Sequence, residues 1–176
     1  MNAAAELFQQ YKINEVGVRD IAEKANVTTG TFYYYFKSKN DILDKVYHSA
    51  DKEFENIFKT GLSKTVYCEK IVEFFCSVLA NKVMKDGVDF TRYRMFEMRI
   101  HSTTENELYR GMIELIKKAQ ETGELRNDFE AEEMNNFLFL VFRGTIYEWC
   151  IQEKQFELVK ELEKAIGYAI RSFSMN

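Results

Sequence analysis

Proline is absent from all 176 residues, and glycine occurs only eight times. Proline removes a helix hydrogen bond and clashes with the preceding turn, so nothing in this chain forces helices to break. A chain without it, dense in Glu, Lys, Leu and Ala, is predicted to be helical nearly throughout. Composition limits the class further: 46% apolar against 30% charged residues belongs to a folded globular chain and not to a disordered one. At this length one or two domains can bury a sizeable core. The longest apolar run, Phe137 to Phe142, is far too short to cross a bilayer, and no signal peptide is legible, which implies a cytoplasmic protein with no membrane partner. Cys68, Cys76 and Cys150 are an odd number without C-x-x-C spacing, so neither a disulfide framework nor a zinc site is suggested. Cys68 and Cys76 read first as inert thiols, with a redox pair as the lesser alternative. His48 and His101 have no metal-ligand spacing and no nucleophile beside them in sequence. No catalytic residue, metal or cofactor is therefore expected, and an enzyme or carrier is the weakest functional reading.

Between residues 18 and 45 the periodicity becomes specific. Val18, Ile21, Ala22 and Ala25 recur at i, i+3, i+4 and i+7, one face of a short helix. Asn26 follows where the chain must turn, and Asn tolerates a left-handed conformation better than most residues. Thr28 is the predicted N-cap of a second short helix. There Phe32 and Phe36 share the inward face, while Thr29, Thr31, Tyr33 and Tyr34 point outward. Tyr35 stands level between packing and exposure. Ser38-Lys39-Asn40-Asp41 has the form of a capping box opening the next helix, with Asp in place of Glu or Gln. This is a helix-turn-helix pattern.

The run Val18-Arg19-Asp20-Ile21-Ala22, continued by Val27-Thr28-Thr29-Gly30-Thr31-Phe32-Tyr33-Tyr34-Tyr35-Phe36-Lys37-Ser38-Lys39, resembles the N-terminal domain of TetR-family transcriptional regulators. Upstream, Ala3-Ala4-Ala5-Glu6-Leu7-Phe8 extends the similarity over roughly the first third of the chain. The resemblance implies an all-α protein: a helix-turn-helix DNA-binding domain over residues 1–47 and a helical ligand-binding and dimerisation domain over 48–176. Carried over residue by residue, the family's DNA contacts fall on Arg19, Thr29, Gly30, Thr31, Tyr33, Tyr34, Tyr35 and Lys39, with Thr28 capping the same helix. Lys37 joins them by charge and position. Tyrosine hydroxyls can donate to phosphate, threonines can meet base edges, and Gly30 lets the backbone come close to DNA. Sequence discrimination is expected mainly from Thr29, Gly30, Thr31 and Tyr34.

The net charge of −4 argues superficially against DNA. DNA responds to the local patch, however, and from Thr28 to Lys39 there is no acid at all. The family pattern also departs at three places. Met1 falls inside the expected first helix, so that either the start lies upstream or an N-terminal arm is lacking. Lys12 stands where glycine is common, and Gly17 stands where threonine usually caps the second helix. Glycine at an N-cap loses only a few tenths of a kcal/mol relative to threonine, yet it forfeits a hydroxyl that could hold phosphate.

The fourth helix is expected from Lys39 to about Lys59, with Ile42, Leu43, Val46, Ala50, Phe54, Ile57 and Phe58 as its buried stripe and Gly61 closing it. By resemblance it joins the DNA head to the regulatory body. Five more helices are predicted at about 66–85, 90–101, 105–122, 131–152 and 155–173, broken at Asp86-Gly87, Ser102-Thr103 and Gly123. The helix from Ala131 is apolar on every side around Phe137–Phe142 and must be covered on every side, most economically by a second subunit. The last helix has the ordinary single stripe of Val159, Leu162, Ile166, Ala169, Ile170 and Phe173. The resemblance implies a homodimer through these last two helices.

The middle of the chain is rich in aromatics, and an ordinary core accounts for any one of them. The family usually holds a small-molecule effector in this region, and large apolar walls with few polar groups suit an amphipathic or aromatic ligand. Candidate lining residues are Phe75, Tyr93, Phe96, Met112, Phe139, Arg143 and Tyr147. Arg94, Arg99 and His101 are further polar exceptions. Arg143 lies within the apolar helix, where an unpaired charge is costly, so it should meet Glu97, Glu148 or an anionic group of a ligand. The reading is a homodimeric regulator of double-stranded DNA, a repressor released by a small molecule. The alternative is an architectural or adaptor DNA-binding protein of the same fold that needs no ligand.

Overall fold

A computed structural model describes residues 1–48, 61–96 and 107–175. The N-terminal head holds α1 (Asn2–Gln10), α2 (Val18–Lys24), α3 (Thr29–Tyr35) and the described part of α4 (Lys39–His48). Ala4, Leu7 and Phe8 of α1, Ile21 and Ala22 of α2, Phe32 of α3, and Ile42 and Leu43 of α4 converge on one apolar cluster. The remainder of the α4 stripe, from Ala50 through Phe54, Ile57 and Phe58, lies outside the described residues. Met1 is the N-cap of α1 and does not sit within the helix as the sequence suggested.

The connection from α1 to α2 contributes two buried side chains, Ile13 and Val16, which no periodicity could announce because they lie in a loop. At the end of α2, Asn26 adopts φ +54°, the left-handed turn anticipated for it. Val27 N–H donates to Ala22 O and Asn26 N–H to Glu23 O, both at 2.9 Å, the paired bonds of a Schellman stop.

In the body, α5 (Tyr67–Glu73) and α6 (Ala80–Asp86) are joined without interruption by a π-helical segment, Phe74–Leu79. Gly87, at φ +81°, turns the chain into α7 (Val88–Phe96). The remaining helices are α8 (Glu107–Glu121), α9 (Ala131–Ile151) and α10 (Leu158–Phe173). Ile71, Phe74, Phe75, Met112, Met134, Leu138, Leu162 and Ile166 form the centre of the body core. Glu124, just beyond the left-handed Gly123, caps α5 from a distance: its carboxylate accepts from Tyr67 N–H at 3.2 Å and Cys68 N–H at 2.8 Å. Those bonds hold its carboxyl below the ordinary value, burial opposing them with the largest single effect.

The last helix begins at Leu158, three residues later than the periodicity predicts. Glu153 and Lys154 take φ +50° and +66°, so the chain turns there before it can wind again. Among the described residues the β pairing is one antiparallel bridge, Leu125 with Ser174, which fastens the C-terminus to the link between α8 and α9. No described helix is long and apolar enough to cross a membrane.

Candidate nucleic-acid interface and effector region

The outward surface of α3 is built by its cap. Thr28 sits in the extended region, and its Oγ1 accepts from Thr31 N–H at 3.1 Å and meets Thr31 Oγ1 at 3.0 Å. The hydroxyl of Thr31 is thereby engaged within the helix, leaving its methyl as the more available group. Phe32 is buried, with Phe36 tilted against it at 5.3 Å, so the three tyrosines turn away. Tyr33 is 58% exposed, Tyr34 82% and Tyr35 64%, which resolves Tyr35 as an outward residue. Tyr34 and Tyr35 brace each other edge to face at 5.0 Å. Gly30 is exposed, and a Cβ there would meet nothing nearer than Thr28 Oγ1 at 3.6 Å. The fold itself therefore does not require glycine at this position.

The cations are placed differently from one another. Arg19 and Lys37 are exposed. Lys39 is half-buried, and its Nζ donates to Ile13 O at 2.8 Å, bracing the loop between α1 and α2. One of its three donors is thus committed inside the head, a structural task the sequence did not reveal. Lys45 sits over the Phe36 ring at 4.9 Å and donates to Tyr35 O at 3.3 Å. At the start of α4, Ser38 Oγ accepts from Asp41 N–H at 3.1 Å, as the capping box requires. Asp41 reaches one residue further back than expected, to Lys37 N–H at 2.8 Å, and that bond together with nearby Lys45 holds its carboxyl below the ordinary value. At Gly17 the Asp20 carboxylate accepts the glycine N–H at 2.7 Å and so supplies a capping bond for α2.

Head and body meet on a surface that the sequence division at residue 47 does not show. Phe90 of α7 is buried in the head cluster, not in the body core. Beside it a cleft of about 570 Å³ runs between Tyr11 and Lys12 of the head and Asp89, Arg92, Glu153 and Lys154 of the body.

The body brings several candidate effector residues together. Phe75 lies 5.1 Å from Phe139 and 5.4 Å from Phe142, ring to ring, and Tyr109 stacks on Phe139 at 6.3 Å. Phe75 and Met112 are wholly buried. The side chains of Tyr93 and Phe96 lie outside the described residues, as do that of Arg94 and the whole of Glu97, Arg99 and His101. Tyr147 is separated from the cluster, on the outer face of α9 with exposed Phe137, Leu140 and Ile151. Arg143 is half-buried and makes no ion pair or hydrogen bond with a described residue; the expected pairing with Glu148 is not formed. Burial pushes its guanidinium below the ordinary arginine value. A residue missed altogether is Asn135, fully buried on the core face of α9, with neither side-chain polar atom hydrogen-bonded. An asparagine at a core position of an apolar helix was the available signal.

The three cysteines are free thiols, and burial pushes those of Cys68 and Cys76 up to about 12, so the reactive thiolate is disfavoured. No metal-holding group of His, Cys, Asp and Glu exists among the described residues.

A helix-turn-helix head with an exposed, acid-free second helix, carried on an all-helical body, defines a DNA-binding transcriptional regulator. Residues 1–46 match the family model described as bacterial regulatory proteins, tetR family, so the head of this chain is similar to that family. Over 176 residues it is 24% identical to the HTH-type transcriptional regulator LuxR of Vibrio harveyi, covering 95% of this chain and 83% of that one. Its fold is similar to that of FadR from Bacillus subtilis in complex with stearoyl-CoA, with a TM-score of 0.73, 20% identity, and coverage of 96% and 95%. It is likewise similar to FadR from Thermus thermophilus in complex with lauroyl-CoA, with a TM-score of 0.68, 24% identity, and coverage of 99% and 93%.

Proposed function

We propose that this chain is a homodimeric repressor that binds a palindromic operator and is released by a small anionic amphiphile held in its body. The observation that carries the reading is the α3 surface, where three large rings project into solvent on a stretch without a single acid. Exposed aromatic groups in such a cluster signify a binding surface. Tyr33, Tyr35, Arg19, Lys37 and the remaining donors of Lys39 take phosphates, while Thr29, Gly30, the Thr31 methyl and Tyr34 face base edges. Thr28 caps the helix that carries them.

One such head reads few base pairs, so two are needed, about 34–36 Å apart for successive major grooves. The outer face of α9 supplies the means of pairing. Leu140 is 61% exposed and Ile151 51%, with Phe137 and Tyr147 beside them and Gly144 between, and Tyr168 is exposed on α10. This apolar face would be covered by the same face of a second subunit. The effector site proposed here uses Phe75, Met112, Phe139 and Arg143. The acyl-CoA ligands of the two FadR structures have the chemistry that such walls suit, together with an arginine lacking a charge partner among the described residues. Ligand acts only through its differential affinity for two poses of the dimer, transmitted through α4 and through Phe90 of α7 in the head cluster.

Selection of bound duplexes from a random pool at fixed, near-physiological salt tests the proposal. A palindrome should be enriched, and its probe should then be released by a fatty acyl ligand. Enrichment without release by any amphiphile would instead favour the ligand-independent adaptor, a reading consistent with how closely Phe75, Phe139 and Phe142 fill their own cluster. No enrichment by a folded dimer would overturn both.

A further inference from the structure

Asn135, Phe139 and Arg143 follow one another at intervals of four along α9, so they climb the same side of the helix. Phe139 is fixed in the aromatic cluster with Phe75 and Tyr109. On one side of it stands a half-buried arginine without a charge partner among the described residues. On the other stands a wholly buried amide whose Oδ1 and Nδ2 both lack a hydrogen bond among the described residues. Native cores almost never leave such an amide unpaired, because its desolvation is uncompensated. The facing wall is unusual too. Phe75 belongs to the π-helical segment Phe74–Leu79, and such turns, inserted within α-helices, are frequent at functional sites.

We infer that the effector is bifunctional: an anionic end meets Arg143, an apolar middle lies along Phe75 and Phe139, and a second hydrogen-bonding group, a hydroxyl or carbonyl, meets the amide of Asn135. Eight residues of α-helix separate the two polar side chains by about 12 Å. A chain of decanoyl length spans this when extended. The amide both donates and accepts, so it satisfies a hydroxyl in both directions, whereas a plain alkyl terminus leaves both of its atoms unpaired. Sites built to hydrogen-bond a ligand group discriminate strongly against the analogue that lacks it. The inference rests on the effector reading above and narrows it from amphiphiles in general to those polar at both ends.

The test uses the full chain and two probes, decanoate and ω-hydroxydecanoate, with dissociation constants from isothermal titration calorimetry. The unsubstituted protein should bind the hydroxy acid about tenfold more tightly than decanoate. Asn135→Leu should abolish that preference while still binding decanoate, and Asn135→Ser, which keeps a hydroxyl, should retain part of it. Arg143→Gln should weaken both probes together. Equal binding of the two probes to the unsubstituted protein, with Asn135→Leu indistinguishable from it, would overturn the second polar contact and leave the anionic-amphiphile reading standing. Failure of both probes to bind the unsubstituted protein would overturn the inference together with the effector role of Arg143.

Discussion

If Asn135 is kept for a ligand, its replacement by an apolar residue of similar volume should make the free protein more stable. The residue is fully buried beside Met134 and Leu138, on the core face of α9 that Phe142 and Ile146 continue. Two polar atoms have left water there without gaining partners. Mutational data put the loss for an uncompensated buried polar group at about 1–3 kcal/mol. Leucine removes that loss and adds dispersion contacts, with some strain because the branch points differ. A net gain of about 2 kcal/mol is the expected outcome for Asn135→Leu, which for a chain of this size raises the melting temperature by roughly 4–8 °C. Urea unfolding followed by circular dichroism should show a higher midpoint at an unchanged slope, the signature of altered stability without altered compactness. A fall in stability would refute the reasoning: the amide would then be making bonds in the free protein that the leucine cannot replace. A gain in stability with loss of ligand discrimination is the exchange expected at a binding site.

Gly30→Ala should stabilise α3 by about 1 kcal/mol, since the position is helical and sterically open, yet lower operator affinity in a gel-shift titration; unchanged affinity would remove the close-approach role of Gly30. Leu140→Arg places a charge on the proposed dimer face and should give monomers in sedimentation velocity, with operator binding lost although the head stays folded. Glu124→Ala removes the cap of α5 and should lower stability by about 1 kcal/mol in thermal unfolding. Because the folded protein holds the Glu124 carboxyl below its ordinary 4.5, the stability it contributes is present above that value and lost as pH falls through the folded one. The Glu124→Ala variant should accordingly converge with the unsubstituted protein at low pH; a gap that persisted there would assign the loss to packing.

What was legible in the sequence was whatever depends on neighbours three or four residues apart. The helices of the head, the Asn26 turn, the Thr28 cap and the outward set on α3 all follow from local geometry, and a family pattern over residues 1–46 strengthens them. The apolar excess of α9 was visible as composition for the same reason. Contacts between residues far apart in the chain were not. Phe90 reads as a body residue and is buried in the head; Lys39 reads as a phosphate contact and also braces Ile13; Glu124 caps a helix that begins 57 residues earlier. Tyr147 and Phe139 belong to one apolar stretch, and only the direction in which α9 docks sends one outward and the other into the cluster. Asn135 is the sharpest case. An asparagine on the core stripe of an apolar helix was a signal in the sequence, but only burial turns its unpaired amide into a cost that function must explain. Local hydrogen bonding and side-chain periodicity determine which segments are helices and which of their faces are apolar. The free energy of a charge, an amide or a ring depends on what surrounds it in space, and that was decided by tertiary structure alone.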